Sequence, residues 1–358
     1  MTGYNSSKGG VEAYMDRLAA ALPQHDFVYS LPVMEIGGKA WRRPPNRHRY
    51  LRYRLFWRRF FRENHFDALY HNACDVVSID MLRFAKKAGI PVRVIHSHSS
   101  GTQQAIGGKL GLFHRFTEAR NRKVLDRYAT HFFACSQLAG DWMFDGRPCT
   151  VIRNGIDLAR YAFSPEKRKE LRRMLGLEEE LLVGIVGRLS PQKNPAFAVG
   201  VLQALAEKDS GIRAVFLGDG ELRGRTENAV REAGLRDKAR FLGNVDNVNE
   251  WLSAMDVLLM PSLFEGLPFA LVEAQACGLP CVVSSAVSGE ADLTGLVRFV
   301  SLDEAPTVWA DSIMQARRAS RPDTTQRLTE AGYSIQDTAR IVGGMLEEGL
   351  RKRQDGKA

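Results

Sequence analysis

The sequence predicts an α/β protein made of two doubly wound domains, and three observations predict it. Short apolar runs of the kind that fill buried parallel sheets alternate with helical stretches along most of the chain. The length, 358 residues, suits two domains of ordinary size, each with its own core. The alternation breaks once, near residues 153–177, where a turn at Asn154-Gly155 leads into a basic helical connector. The expected boundaries are 1–150 for the first domain and 151–340 for the second. A terminal helical segment over 341–358 is free to return to the first domain.

The elements follow in order. "VEAYMDRLAAAL" places Val11, Tyr14, Met15, Leu18 and Leu22 on one helical face. Strands are expected at "FVYSL" (27–31), "ALYH" (68–71), "VRVIH" (92–96), "HFFAC" (131–135) and "TVIR" (150–153). The second half repeats the pattern more regularly, with "LLVGIVG" (181–187), "AVFLG" (214–218), "ARFLG" (239–243), "VLLMP" (257–261) and "CVVSS" (281–285). In such sheets ligands bind beyond the carboxyl ends of the strands, so the residues just after each strand are the ones to inspect. One feature departs from the pattern. Gly9-Gly10 opens the first helix, yet only "MTGYNSSK" precedes it, too short and polar for the usual central strand. Either translation starts further upstream or this domain lacks its first strand.

Composition narrows the class. Hydrophobic residues make up 44% and charged residues 25%, as in ordinary globular chains. No apolar run is long enough to span a bilayer, and the first residues lack a signal-peptide core, so a cytoplasmic protein is expected. The five cysteines are irregularly spaced, a poor disulfide framework. Cys277 and Cys281 have no second Cys or His pair nearby to complete a zinc site and read as small hydrophobes. The net charge of +9 is concentrated in Trp41 to Glu63, where nine arginines interleave with aromatic residues. That mixture fits an anionic membrane surface, with Arg52, Trp57, Arg58 and Arg59 as candidate contacts, or a solvated helix docked by one face. Nothing resembles an RNA-recognition motif, and no nucleic-acid partner is expected.

Three stretches carry chemistry. "GRLSPQKNP" puts Gly187, Arg188 and Lys193 after a strand, two cations on one loop, suited to a diphosphate. "LGDGEL" offers Gly218 and Gly220 for close backbone approach. "FEGLPFALVEAQACGLP" sets Glu265 before a Gly266-Leu267-Pro268 corner and Glu273 inside the apolar run that starts at Phe269. Pro268 suits the first turn of a helix, whose free N–H groups attract an anion. A carboxylate within an apolar helix needs donors; a ribose diol supplies two, and a neighbouring helix is the other source.

These stretches resemble the retaining GT-B glycosyltransferases with a Glu-x7-Glu motif, of the family 4 type. "EGLPFALVE" resembles that motif and "GRLSPQKNP" the diphosphate loop. "SKGG" is similar to the first glycine loop, and "VIRNGID" to the entry into the second domain. "VEAQACGLPCVVSS" and "LVRFVSLDEAPTVWA" look most like the capsular and exopolysaccharide branch, which builds on a lipid carrier. The resemblance implies two Rossmann-like domains facing across a cleft, acceptor side first, donor side second. It implies that Glu273 holds the donor ribose and Glu265 the transferred sugar, that Arg188 and Lys193 neutralise the leaving diphosphate, and that Gly187 and the backbone of Gly266, Leu267, Pro268 and Phe269 line the donor. In "RVIHSHSS" it assigns His98 to the active site, with Gly9, Gly10 and His96 on the acceptor side. A nucleotide-sugar donor, preferably a UDP-sugar, a lipid-linked saccharide acceptor and no metal or other cofactor are expected.

Other classes fit less well. A nicotinamide dehydrogenase needs Gly-x-Gly-x-x-Gly after a strand, and "GDGELRG" is one residue too long. P-loop chemistry needs Gly-Lys-Ser/Thr, whereas "GGKLG" has leucine there. An epimerase shares the architecture but not the paired motifs. A non-catalytic GT-B subunit that binds another transferase at the membrane is the alternative from a different class.

Overall fold

The computed structural model describes residues 10–30, 33–42, 50–99, 112–265 and 268–355. Two compact units emerge: Met1–Ile156 with Ile335–Ala358, and Asp157–Ser334. The boundaries expected at 150 and 340 therefore move to 156 and 334. The reason is local. The Ile335 N–H donates to the Ile156 carbonyl at 3.0 Å. Gly155 packs so tightly beside them that a β-carbon there would lie 2.9 Å from the Ile335 backbone. The Asn154-Gly155 turn thus completes the first unit.

The first unit opens with the helix Gly10–Ala21, which buries Tyr14, Met15 and Leu18. An antiparallel hairpin follows, β1 (Val33–Ile36) and β2 (Lys39–Arg42). It turns at Gly37-Gly38, both with positive φ as such tight turns require. The strand expected over 27–31 is not formed in its described residues, apart from a bridge at Ser30. The main sheet is parallel, in the order β3 (Ala68–Ala73), β4 (Val92–Ser97), β5 (His131–Ala134) and β6 (Thr150–Val151). The strand expected before Gly9-Gly10, and Gly9 itself, lie outside the described residues. The C-terminal helix Ile335–Asp355 packs on the opening helix and on β4.

The arginine-rich helix Tyr50–Glu63 has a core stripe and a wet stripe. Trp57, Phe60 and Phe61 recur at helical spacing and are buried with Trp41. Trp57, 1% exposed, is therefore not a surface contact, which corrects the expectation above. Its place on the outer side is taken by Leu51 and Leu55, 73% and 63% exposed, beside exposed Arg52, Arg58 and Arg59. Arg59 and Lys39 both pair with Glu63 at 2.6 Å. No described helix is long and apolar enough to cross a membrane.

The second unit carries a six-stranded parallel sheet in the order β12-β11-β10-β7-β8-β9. The strands are β7 (Leu182–Val186), β8 (Arg213–Leu217), β9 (Ala239–Gly243), β10 (Val257–Met260), β11 (Cys281–Ser284) and β12 (Val297–Val300). The order reverses between β7 and β10, and a doubly wound sheet opens a ligand crevice at that point. Leu181, Val183, Phe216, Val257, Leu259 and Trp309 are among the core residues of this sheet and its helices. The basic connector has a structural use: Arg168 and Arg172 clamp Asp256 at 2.6 and 3.1 Å, while Asp256 also accepts the Leu182 N–H. Cys277 and Cys281 are buried in this unit.

Candidate functional site

The loops after β7 and β10 meet at the carboxyl edge of the second sheet. β7 ends at Gly187, whose φ of 139° is left to glycine. Its N–H donates to the Leu217 carbonyl, and Leu189 donates to Asp219, so this loop is sewn to the one after β8. That seam needs small residues. A side chain at Gly218 would collide with the Gly187 carbonyl, and one at Gly220 with the Leu189 carbonyl. Gln192 ties the same loop to the other neighbour: its carbonyl accepts the Leu263 N–H at 2.8 Å, and its amide donates to the Phe264 carbonyl at 3.0 Å.

This fastening brings charges together across 72 positions of sequence. Lys193 Nζ lies 2.7 Å from Glu265 Oε1. Both are largely shielded, with 21% and 11% of their side chains exposed, while Arg188 stands exposed on the same loop. An ammonium has three N–H donors, so Lys193 can hold Glu265 and still offer donors to an anion. Glu265 is fixed from its other side by a parallel bridge to Val287. A small pocket beside this pair is lined by Gly187, Arg188, Lys193, Met260, Pro261 and Ser262. Ser262 is fully buried, and its hydroxyl has no partner.

Pro268 caps the helix Phe269–Ala276 one position earlier than the first-turn place expected for it. Glu273 lies inside that helix, 6% exposed. Gly266 and Leu267 lie outside the described residues.

In the first unit His98 follows β4, with its backbone N–H on the Ala73 carbonyl. His98 Nε2 is 2.7 Å from Asn72 Oδ1, and its ring stacks at a tilt on His96, 4.1 Å between centroids. Burial pushes the His98 imidazole down to about 3. His96 is completely buried, its Nδ1 2.8 Å from the Tyr70 hydroxyl. Burial, with His98 beside it, holds its pKa well below the usual range. His96 is thus packed under His98 rather than presented at the surface. Among the described residues no group of three His, Cys, Asp or Glu side chains could hold a metal ion.

Sequence reasoning missed Ser262, Asn72 and Tyr70. The strand-end rule would have flagged the first two, since Ser262 stands two residues past β10 and Asn72 next to the end of β3.

Comparison with known proteins gives the family of the chain. Residues 8–160 match Glycosyltransferase Family 4, and residues 167–333 match the glycosyl transferases group 1. A Bacillus subtilis protein named as a glycosyltransferase, EpsF, is 35% identical over 272 residues, 73% of this chain and 69% of its own length. The chain belongs to the family 4 glycosyltransferases. A second relative of this glycosyltransferase is the UDP-Gal:alpha-D-GlcNAc-diphosphoundecaprenol alpha-1,3-galactosyltransferase of Escherichia coli. It is 31% identical over 206 residues, 56% of this chain and 53% of that one. Among solved structures, HepE of Anabaena in complex with UDP superposes with a TM-score of 0.74 at 19% identity, covering 97% of this chain and 98% of HepE. The fold is therefore the two-domain GT-B arrangement of parallel α/β units.

Proposed function

We propose that this glycosyltransferase moves a sugar from a UDP-sugar, with retention at the anomeric carbon, to a lipid-linked or saccharide acceptor in exopolysaccharide or capsule assembly. The observation that carries the reading is the junction of the loops after β7 and β10, where Arg188, Lys193 and Glu265 gather at the sheet's switch point. Arg188 and Lys193 neutralise the departing diphosphate, with the N-terminus of the helix Phe269–Ala276 and the backbone of Gly187 as further donors. Glu273 holds the ribose diol. Glu265, oriented by Lys193, accepts from hydroxyls of the transferred sugar, and the Ser262 hydroxyl is a further donor. Neither glutamate acts as a proton-transfer acid, and no metal is required. His98 serves the acceptor side, where Gly9, Gly10 and the packed His96 also belong. The relative that acts on a diphosphoundecaprenol sugar and the UDP complex of HepE support the substrate class.

The acceptor so inferred is anionic and held at a membrane, and the outer face of Tyr50–Glu63 suits that surface. Leu51 and Leu55 insert at headgroup level while Arg52 and Arg58 meet phosphates, each arginine contributing about 1 kcal/mol. On this reading the protein works as a peripheral protein on the cytoplasmic face of the membrane. Co-sedimentation with liposomes of varied anionic content and salt tests it. Binding that ignores both variables, or that survives Leu51→Asp with Arg52→Glu and Arg58→Glu, sinks the membrane assignment.

A screen of nucleotide sugars for thermal stabilisation tests the donor. A bound donor at ~100 times its dissociation constant adds about 2.7 kcal/mol. UDP-sugars should stabilise, and the anomeric configuration of the product by NMR should match the donor. No response to any nucleotide sugar overturns the reading.

A further inference from the structure

The four-stranded sheet carries a polar cluster that its packing alone does not call for. Asn72 stands opposite His96 in the β3–β4 register, so Tyr70, Asn72 and His96 share one face, with His98 next along the chain beyond the strand. Tyr14 of the opening helix covers them, 5.7 Å from His96 and 5.8 Å from His98 between ring centroids. Three polar atoms here are buried with no partner, His98 Nδ1, Asn72 Nδ2 and His96 Nε2. An unsatisfied buried polar atom is destabilising, and native structures keep few of them without a use.

The bonds that are made say where the protons sit. His98 Nε2 faces an amide oxygen, which can only accept, so the proton is on Nε2. With its charged form suppressed by burial, the ring holds one proton, and Nδ1 is a bare lone pair. His96 does not compete for Asn72, because its own Nδ1 receives the Tyr70 hydroxyl. Burial holds that phenol well above its ordinary range, so it keeps its proton to donate.

We infer that Asn72 is a positioning residue: its amide oxygen holds His98 in the Nε2–H tautomer and leaves Nδ1 to accept a hydrogen bond from a hydroxyl of the bound sugar substrate. The second half rests on the acceptor-side role proposed above for His98. The first half does not, and an amide turned end for end would give the opposite tautomer.

The test uses the full chain labelled with 15N-histidine. Two-bond 1H–15N spectra at pH 7 report the tautomer, and His98→Gln identifies the signal. The expected pattern is Nε2–H; an Nδ1–H pattern or a charged ring overturns the inference. Asn72→Ala should disturb the pattern. Asn72→Asp should preserve it, because a carboxylate also only accepts. An Asn72→Ala spectrum identical to wild type, or an Nδ1–H ring in Asn72→Asp, also overturns it. If Asn72→Ala does not fold, the wild type and Asn72→Asp decide. With UDP-glucose as the probe donor, Asn72→Ala should lower kcat about tenfold with KM for the donor within about twofold, and Asn72→Asp should restore part of the rate. A loss confined to KM counts against the positioning role. If the wild-type protein is inert toward UDP-glucose, the UDP-sugar that stabilises it in the screen above takes its place, and the spectra still decide the tautomer.

Discussion

At the carboxyl edge of the six-stranded sheet the polar groups are ionisable, and Lys193 and Glu265 are paired. At the same edge of the four-stranded sheet they are neutral and packed among aromatic rings: Tyr14, Tyr70, Asn72, His96 and His98. In the function proposed above, the first edge stabilises charge that leaves with a diphosphate, and the second exchanges hydrogen bonds with hydroxyls. That proposal divides the chemistry between the two sheet edges, and mutations should separate the two contributions.

The largest effect is expected where charge develops. Arg188→Ala and Lys193→Ala should each cut turnover on the order of a hundredfold, as when a donor to a developing anion is removed. A loss below about tenfold for each, measured as kcat/KM, would refute the diphosphate assignment. Glu273→Ala comes next. Losing two charge-assisted hydrogen bonds to a diol should weaken UDP binding roughly thirtyfold by calorimetry while the circular dichroism spectrum stays native. Unchanged affinity in a folded variant would return Glu273 to a purely structural role.

The neutral edge should instead respond to acid. His98 is depressed to about 3 and His71, also by burial, to about 4, while an unfolded histidine titrates near 6.5. The unfolded chain therefore binds more protons between those values. Stability is fully present above about pH 6.5 and falls as pH drops toward the folded values, by about 2 kcal/mol per such histidine at pH 5. Urea unfolding between pH 7 and 5 measures the slope, and His98→Gln should flatten it; equal slopes would mean the ring is not kept neutral. The smallest effect is expected for His98→Ala on catalysis, about tenfold in transfer with UDP affinity unchanged, as for one hydrogen bond. His96→Ala should reduce stability more than transfer. Normal transfer by His98→Ala would remove its acceptor role.

Much of the fold was legible because buried parallel strands announce themselves as unbroken apolar runs. "LLVGIVG" and "VLLMP" mark β7 and β10 within a residue at each end. Strands without that signature escaped. β12 is half-exposed and carries Arg298, and the β1–β2 hairpin depends on a Gly37-Gly38 turn between short, mostly exposed strands. Phe27 to Ser30 have the right composition but only one bridge, since apolar content alone does not supply a pairing edge. At the site, the loop cations and both glutamates could be named because they follow strands. That Lys193 and Glu265 pair could not, since the contact depends on Gln192 fastening two distant loops. Trp57 shows the reverse error: arginine density drew attention to the helix, but its period turns the tryptophan inward.

The bond between Ile335 and Ile156 also sets an order of events during synthesis. The C-terminal helix that packs on the opening helix and β4 leaves the ribosome about 200 residues after Ile156, a wait of roughly 10–40 s at ~5–20 residues per second. Through that interval the unit made first remains unfinished, while Asp157–Ser334 has every strand of its sheet available. The unit Asp157–Ser334 can therefore close its sheet on the nascent chain before the unit begun earlier receives the helix Ile335–Asp355.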